Sequence, residues 1–121
     1  MAQNDFLQMN SSGIGITRIG SKSVLTPRGA ITYRNIDNLK SMFNECIGNN
    51  KTEIILDCKA ISFLDSEVLE YILKIHEELR NQGGILKLIN INAICRDIFL
   101  VTRLINVFYI YDDIHKAIRN T

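Results

Sequence analysis

Apolar residues alternate between short runs and helical stripes along the 121-residue chain. Ile14, Ile16 and Ile19 predict a first strand and Val24-Leu25 a second, with Gly20-Ser21-Lys22-Ser23 as the turn between them. Pro27 has no N–H to donate and ends that ladder. Ile36, Leu39, Phe43, Cys46 and Ile47 then recur on one helical face. Gly48-Asn49-Asn50 closes the helix with residues that tolerate left-handed geometry. Ile54-Ile55-Leu56, ending at Asp57, reads as a buried strand. After a short crossing, a second helix runs from about Ser66 to Gln82. Its inner arc holds Val68, Leu69, Ile72, Leu73, Ile75 and Leu79, while Glu67, Glu70, Lys74, Glu77 and Glu78 fall outside. Gly83-Gly84 terminates it. Ile85, Leu86, Leu88 and Ile89 suit a parallel strand covered on both faces. A third helix, from about Ala93 to Leu104, is expected to bury Ile94, Ile98 and Val101. Val107 to Ile110 form a last strand, and Asp112 starts a final helix carrying Ile114, Ala117 and Ile118.

Strands alternating with helices make this an α/β chain, with a mixed sheet of four to five strands packed against helices. The first two strands pair as a hairpin, and the later ones cross over right-handed. Residues 1–12 read as a flexible lead-in and residues 13–121 as a single domain, the natural count at this length.

Composition narrows the function classes. An apolar fraction of 46% and a charged fraction of 22% are ordinary for a soluble globular protein. With 14 basic and 13 acidic residues the net charge is +1, and the lysines and arginines are scattered singly, so nucleic acid is not an expected partner. Residues 1–12 lack the apolar stretch of a signal peptide, and no run reaches the ~20 apolar residues of a membrane span. A cytoplasmic protein with no membrane association is expected. Cys46, Cys58 and Cys95 are odd in number and widely spaced, which reads as buried or half-buried thiols in a reducing compartment.

Candidate chemistry is sparse. Asp57 and Asp65 are the nearest thing to a carboxylate pair, but they lack a third polar partner. Asp57 reads better as a strand end and Asp65 as a helix cap. His76 falls inside the second helix's apolar arc, as a core histidine with one satisfied ring nitrogen. No two His or Cys residues share metal-ligand spacing, so no metal is expected. Gly13-Ile14-Gly15 lacks the third glycine and the preceding strand of a dinucleotide loop, so no cofactor is expected either. Ser66 is the informative residue, because it stands where strand and loop hand over to a helix. A hydroxyl there can cap the helix, or carry a phosphate where unpaired N–H groups and the helix dipole favour negative charge.

Asp57, Ser62-Phe63, Asp65, Ser66 and Leu69 together resemble the STAS domain of bacterial anti-sigma-factor antagonists. That family pattern has an apolar strand ending in Asp, a Ser-Phe loop, and Asp-Ser-(Ser/Thr)-Gly-Leu opening a helix. Gly29-Ala30-Ile31-Thr32 sits where the family has Gly-Glu-Leu-Asp. Ala93-Ile94 and Asp112 to Ile118 resemble its later helices. The likeness covers about residues 14–118, with Glu67 in place of a hydroxyl residue and Val68 in place of glycine. The resemblance implies a binding protein and no enzyme, with Ser66 as the phosphorylated serine. It implies an anti-sigma factor that is also a serine kinase as partner, and a serine phosphatase as the resetting enzyme. The implied contact surface is Asp65, Ser66 and Glu67 with Gly29, Ala30, Ile31 and Thr32. Two alternatives stay open: a non-switching STAS module within a signalling assembly, and a small enzyme using Asp57, Asp65 and Ser66.

Overall fold

The computed structural model of the protein describes residues 7–9, 15–48 and 52–119. Strands β1 (Leu7–Met9), β2 (Gly15–Ile19) and β3 (Lys22–Thr26) pair antiparallel in succession. The expected lead-in over 1–12 is therefore interrupted by a strand; its remaining residues lie outside the described ones, as do Gly13, Ile14, Asn49 and Asn50. The turn is tighter than its four-residue expectation. Gly20 takes φ 62°, which lets Lys22 and Ser23 enter the ladder, where Ser23 Oγ accepts from Arg18 Nη1 at 2.7 Å.

Then follow β4 (Gly29–Ile31), α1 (Ile36–Cys46), β5 (Glu53–Asp57), β6 (Ile61–Leu64), α2 (Ser66–Asn81), β7 (Ile85–Ile89), α3 (Ala93–Val101), β8 (Tyr109–Tyr111) and α4 (Ile114–Arg119). The main sheet runs β1-β2-β3-β5-β7-β8 and is parallel from β3 to β8. Strands β2, β3, β5, β7 and β8 make the expected mixed sheet, and β1 extends its edge. Sequence periodicity did not reveal β4 and β6, which pair with each other as a separate parallel ribbon. A register shift lies between Gly29 and Ala30, and β6 buries its two ends but not its middle, so neither shows a period of two.

Alternation sorts the central strands between two cores. Ile54, Leu56, Leu86 and Leu88 face the larger one, under α1, α2 and α3. Ile55 and Ile89 face the smaller one, with Val24 and Ala117 beneath α4. Both faces of β5 and β7 are thus covered, as their apolar runs require. Lys87, in the middle of β7, is fully buried. Its Nζ donates to the Ala117 carbonyl at 2.6 Å, lies 3.1 Å from Glu53 Oε2, and sits over the Tyr111 ring.

The third helix follows a different rotation from the one its sequence suggests. Cys95 and Phe99 are its buried residues, Ile98 packs partly against the core, and Ile94 and Val101 are exposed. The cause lies at its N-cap. Asn92 accepts from Cys95 N at 2.8 Å while its Nδ2 donates to the carbonyls of Cys58, Lys59 and Ile61. Those bonds fix the helix's phase, and they tie it to the β5–β6 crossing. The helix also ends at Val101, short of Leu104, because Arg103 turns left-handed with φ 65°. At the end of α2, Gly83 is left-handed and a Cβ on Gly84 would collide with the Thr52 backbone.

His76 is buried on α2 between the Phe108 and Tyr109 rings, as its place in the apolar arc suggested. Its Nδ1 has no hydrogen-bond partner. Burial depresses its pKa, Arg80 depresses it further, and Glu77 opposes them. The unfolded chain therefore takes up a proton more readily than the folded one, and stability drops as pH falls. The loss begins below ~6.5, the ordinary histidine value, and is complete below the depressed folded pKa. Thermal melts across this range should show wild type losing more stability towards acid than His76→Leu does. Parallel pH profiles for the two proteins would refute the assignment.

Candidate functional site

The start of α2 is built by Asp65. Its backbone is extended, its Oδ1 accepts from Val68 N at 2.9 Å, and its carbonyl accepts from Leu69 N at 3.1 Å. It is a side-chain cap of the usual N-terminal kind. The second carboxylate oxygen reaches outside the helix and accepts from Tyr33 N at 2.7 Å, while Asp65 N donates to the Ile31 carbonyl at 3.3 Å. One side chain thus joins the α2 N-terminus to the β4–α1 turn. Asn35 holds that turn from within, accepting from Thr32 N at 2.9 Å and donating to the Ala30 carbonyl at 3.0 Å.

Because Asp65 does the capping, Ser66 occupies the first helical position with an exposed side chain. Glu67 beside it is exposed too, an acidic group in the first turn where the helix dipole favours it. Val68, in place of the family glycine, is fully buried in the core. It faces away from the surface and narrows nothing around Ser66.

The implied contact residues converge with one exception. Gly29 and Ala30 are exposed on β4, which pairs with β6 directly before Asp65; Thr32 is half-buried alongside. Ile31 differs from them, because its side chain is 4% exposed and belongs to the core beneath the surface. Tyr33 and Phe63 are exposed aromatic residues next to this set, on the Asp65-bonded turn and on β6. Phe63 could have been singled out as an apolar residue in a strand too short to bury it. Tyr33 carried no such signal, since its tie to Asp65 spans a long stretch of chain.

A shallow, open hollow of about 180 Å³ adjoins Ser66, lined also by Leu69, Glu70, Leu73, Thr102 and Leu104. It falls below the roughly 300–1,000 Å³ of small-molecule sites and has few polar groups converging on it. Asp57 is engaged elsewhere, its Oδ1 accepting from Lys59 N at 3.0 Å and Asn90 Nδ2 at 3.3 Å. Both Asp65 oxygens hold backbone amides, so each aspartate anchors the structure around it. Among the described residues, no cluster of His, Cys, Asp and Glu could hold a metal ion, and no helix is long and apolar enough to cross a membrane.

Asp65→Ala should remove both the cap and the tie to Tyr33, costing about 2 kcal/mol of stability in chemical denaturation. Asp65→Asn, which keeps one acceptor oxygen, should recover part of that loss. Equal stability of Asp65→Ala and wild type would show that neither bond is made in solution.

A family model described as the STAS domain matches residues 12–117. No curated protein matches the chain. Among solved structures, it is similar to a Thermotoga maritima protein provisionally assigned as an anti-sigma factor antagonist, with 23% identity and a TM-score of 0.77, covering 86% of this chain and 90% of that one. An anti-sigma factor antagonist from Mycobacterium paratuberculosis has 18% identity and a TM-score of 0.76, with coverages of 92% and 96%. The Bacillus cell fate determinant SpoIIAA, solved in its phosphorylated form, has 19% identity and a TM-score of 0.65, with coverages of 88% and 97%. These likenesses show a shared fold.

Proposed function

This chain belongs to the STAS domain family, and we propose that within it the protein is a cytoplasmic, non-enzymatic binding partner switched at Ser66. In its free form it binds an anti-sigma factor that is also a serine kinase. Phosphorylation of Ser66 by that kinase ends the interaction, and a serine phosphatase restores it.

The observation that carries this reading is the division of labour at the α2 N-terminus. Asp65 supplies the cap, so Ser66 is exposed and is not needed to hold the helix. A phosphate on it adds about two negative charges at pH 7, beside Asp65 and Glu67. Unpaired amides and the helix dipole tolerate that charge, so the fold persists while the surface becomes strongly anionic. The surroundings suit protein docking. Phe63 and Tyr33 offer exposed rings, the hollow beside Ser66 is open and apolar, and Gly29 and Ala30 present a nearly bare backbone edge. A solved relative of the same fold in a phosphorylated form gives the reading independent support.

Exposed Glu67 favours a second reading, a STAS module that does not switch. A carboxylate next to the acceptor gives the unmodified surface part of the negative charge that phosphorylation supplies.

Incubation with ATP and the kinase-type anti-sigma factor of the same organism should phosphorylate Ser66 alone, as read by intact mass and peptide mapping. Modification at Ser62, or none, would leave the non-switching module as the better account. Separately, Ser66→Asp should keep its circular dichroism spectrum and melting temperature yet bind that partner at least tenfold more weakly, about 1.4 kcal/mol by calorimetric titration. Undiminished binding would show that charge at this position is not the signal.

A further inference from the structure

Two of the three cysteines meet in the core. Cys58 follows β5 directly and Cys95 lies in the first turn of α3, and both are fully buried. Cys58 Sγ donates to the Leu56 carbonyl at 3.8 Å, and the Cys58 and Cys95 thiols are electrostatic neighbours. Their backbones are clasped by a single carboxamide: Asn92 Nδ2 donates to the Cys58 carbonyl at 3.1 Å, and Asn92 Oδ1 accepts from Cys95 N at 2.8 Å. Cys58 is pinned further by its N–H on the Ile89 carbonyl at 3.0 Å. The two buried cysteines are thus held beside each other on elements that cannot drift apart without breaking these bonds. Cys46 stands apart at the end of α1, with Ser23, Arg18 and Glu45 as its neighbours.

We propose that Cys58 and Cys95 are a redox site that closes to a reversible intramolecular disulfide when the protein meets a peroxide. A disulfide needs a bond of about 2.05 Å, and Asn92 holds the two cysteine backbones on either side of that gap. Roles follow from their surroundings: Cys95, in the first turn of α3, is held below its ordinary thiol pKa by the neighbouring Cys58 despite its burial, while Cys95 and burial hold Cys58 well above. Cys95 is therefore the attacking sulfur. Its thiolate displaces hydroxide from hydrogen peroxide and becomes a sulfenic acid. Cys58 sulfur then attacks the Cys95 sulfur, the S–O bond breaks, and the Cys58 proton leaves with the departing oxygen as water. In total two thiols lose two electrons and two protons, and one peroxide becomes two waters. Burial sets the rate, since peroxide reaches the pair only through local openings of the core.

The crosslink closes a loop containing β6, α2 and β7, the elements that carry and support Ser66. It removes freedom from the unfolded chain and leaves the folded surface in place. The inference stands on the two thiols and Asn92, independently of whether Ser66 is phosphorylated.

The test uses the full-length reduced protein treated with hydrogen peroxide, unfolded in guanidinium, alkylated, and examined by intact mass and non-reducing peptide mapping. The expected product is lighter by two hydrogens, blocks alkylation at Cys58 and Cys95 while Cys46 still reacts, and yields one crosslinked peptide pair that dithiothreitol separates. Its melting temperature should rise by several degrees over the reduced form. Cys46→Ala should behave like wild type. Alkylation of all three thiols, over-oxidation of Cys95 without a crosslink, or a crosslink through Cys46 would each overturn the proposal. Because the decisive readout is made on wild type, it does not depend on core variants folding.

Discussion

The carboxylate of Asp65 holds two backbone amides from distant parts of the chain, Val68 N in its own helix and Tyr33 N in the turn after β4. Everything exposed around Ser66 is placed by that pair of bonds. The first fixes where α2 begins, and so which residue stands at its first helical position. The second draws the β4–α1 turn against that point, with the β4–β6 ribbon behind it. Asn35 stiffens the turn from inside, and Asn92 performs the same service below, collecting three carbonyls of the β5–β6 crossing. Short polar side chains thus satisfy backbone groups that the ribbon and crossing leave unpaired, which is what a partly buried loop needs to stay ordered. A surface organised this way loses little conformational freedom on meeting a partner, and such preorganisation favours tight association.

Beneath that surface, the two central parallel strands are closed to solvent on both sides, and this shapes the far side of the molecule. Lys87 occupies a back-face position of β7 where an apolar residue is the ordinary choice. Removing its ammonium from water carries a desolvation cost of several kcal/mol, which only close partners offset. Glu53 supplies the countercharge and the Ala117 carbonyl a short acceptor. The consequence is directional. Helix α4 is short and contributes Ala117 and Ile114 to a small core, so its apolar contacts alone hold it weakly. The buried lysine attaches the last turn of that helix to the centre of the sheet. The surface around Ser66 and the α4 face therefore lie on opposite layers, joined through β5 and β7.

How much of this was legible in the sequence depended on whether a segment's partners were local. Helices α1 and α2 and strands β5 and β7 carry strong periodic or continuous apolar signals, and their bounds agree with the structure to within a residue or two. The cap of α2 was legible as Asp65 or Ser66, and the bond from Val68 N decides for Asp65. The ribbon of β4 and β6 was not, since a register shift and an outward-facing Phe63 break the alternation that marks a strand. Helix α3 failed for the opposite reason. Its sequence, AICRDIFLV, is apolar on nearly every side, so periodicity could not tell which residues turn inward. Asn92 decided that, through carbonyls more than thirty residues earlier in the chain. Lys87 was hidden similarly: a lysine inside an apolar run is ordinarily a snorkelling or edge residue, and only the positions of Glu53 and α4 make it a core one.

In the proposed switch, the energetics at the α2 N-terminus would let a charge there act more on a partner than on the fold. A helix N-terminus stabilises an added anion by ~0.3–1 kcal/mol at an exposed site. Repulsion from Asp65 and Glu67 opposes it, and at ~4 Å in bulk water each pair of unit charges interacts by only ~1 kcal/mol before salt screens it. These terms are opposite in sign and partly cancel, so on the isolated domain their net effect would be modest. A docked partner changes the balance. It excludes water from the same spot, so the phosphate loses hydration worth several kcal/mol unless a cation replaces it. The apolar hollow lined by Leu69, Leu73 and Leu104 offers no such cation. Desolvation is present in the complex and absent in the free protein. In the proposed switch, that difference would let one modified hydroxyl discriminate between bound and unbound states while leaving the architecture beneath it untouched.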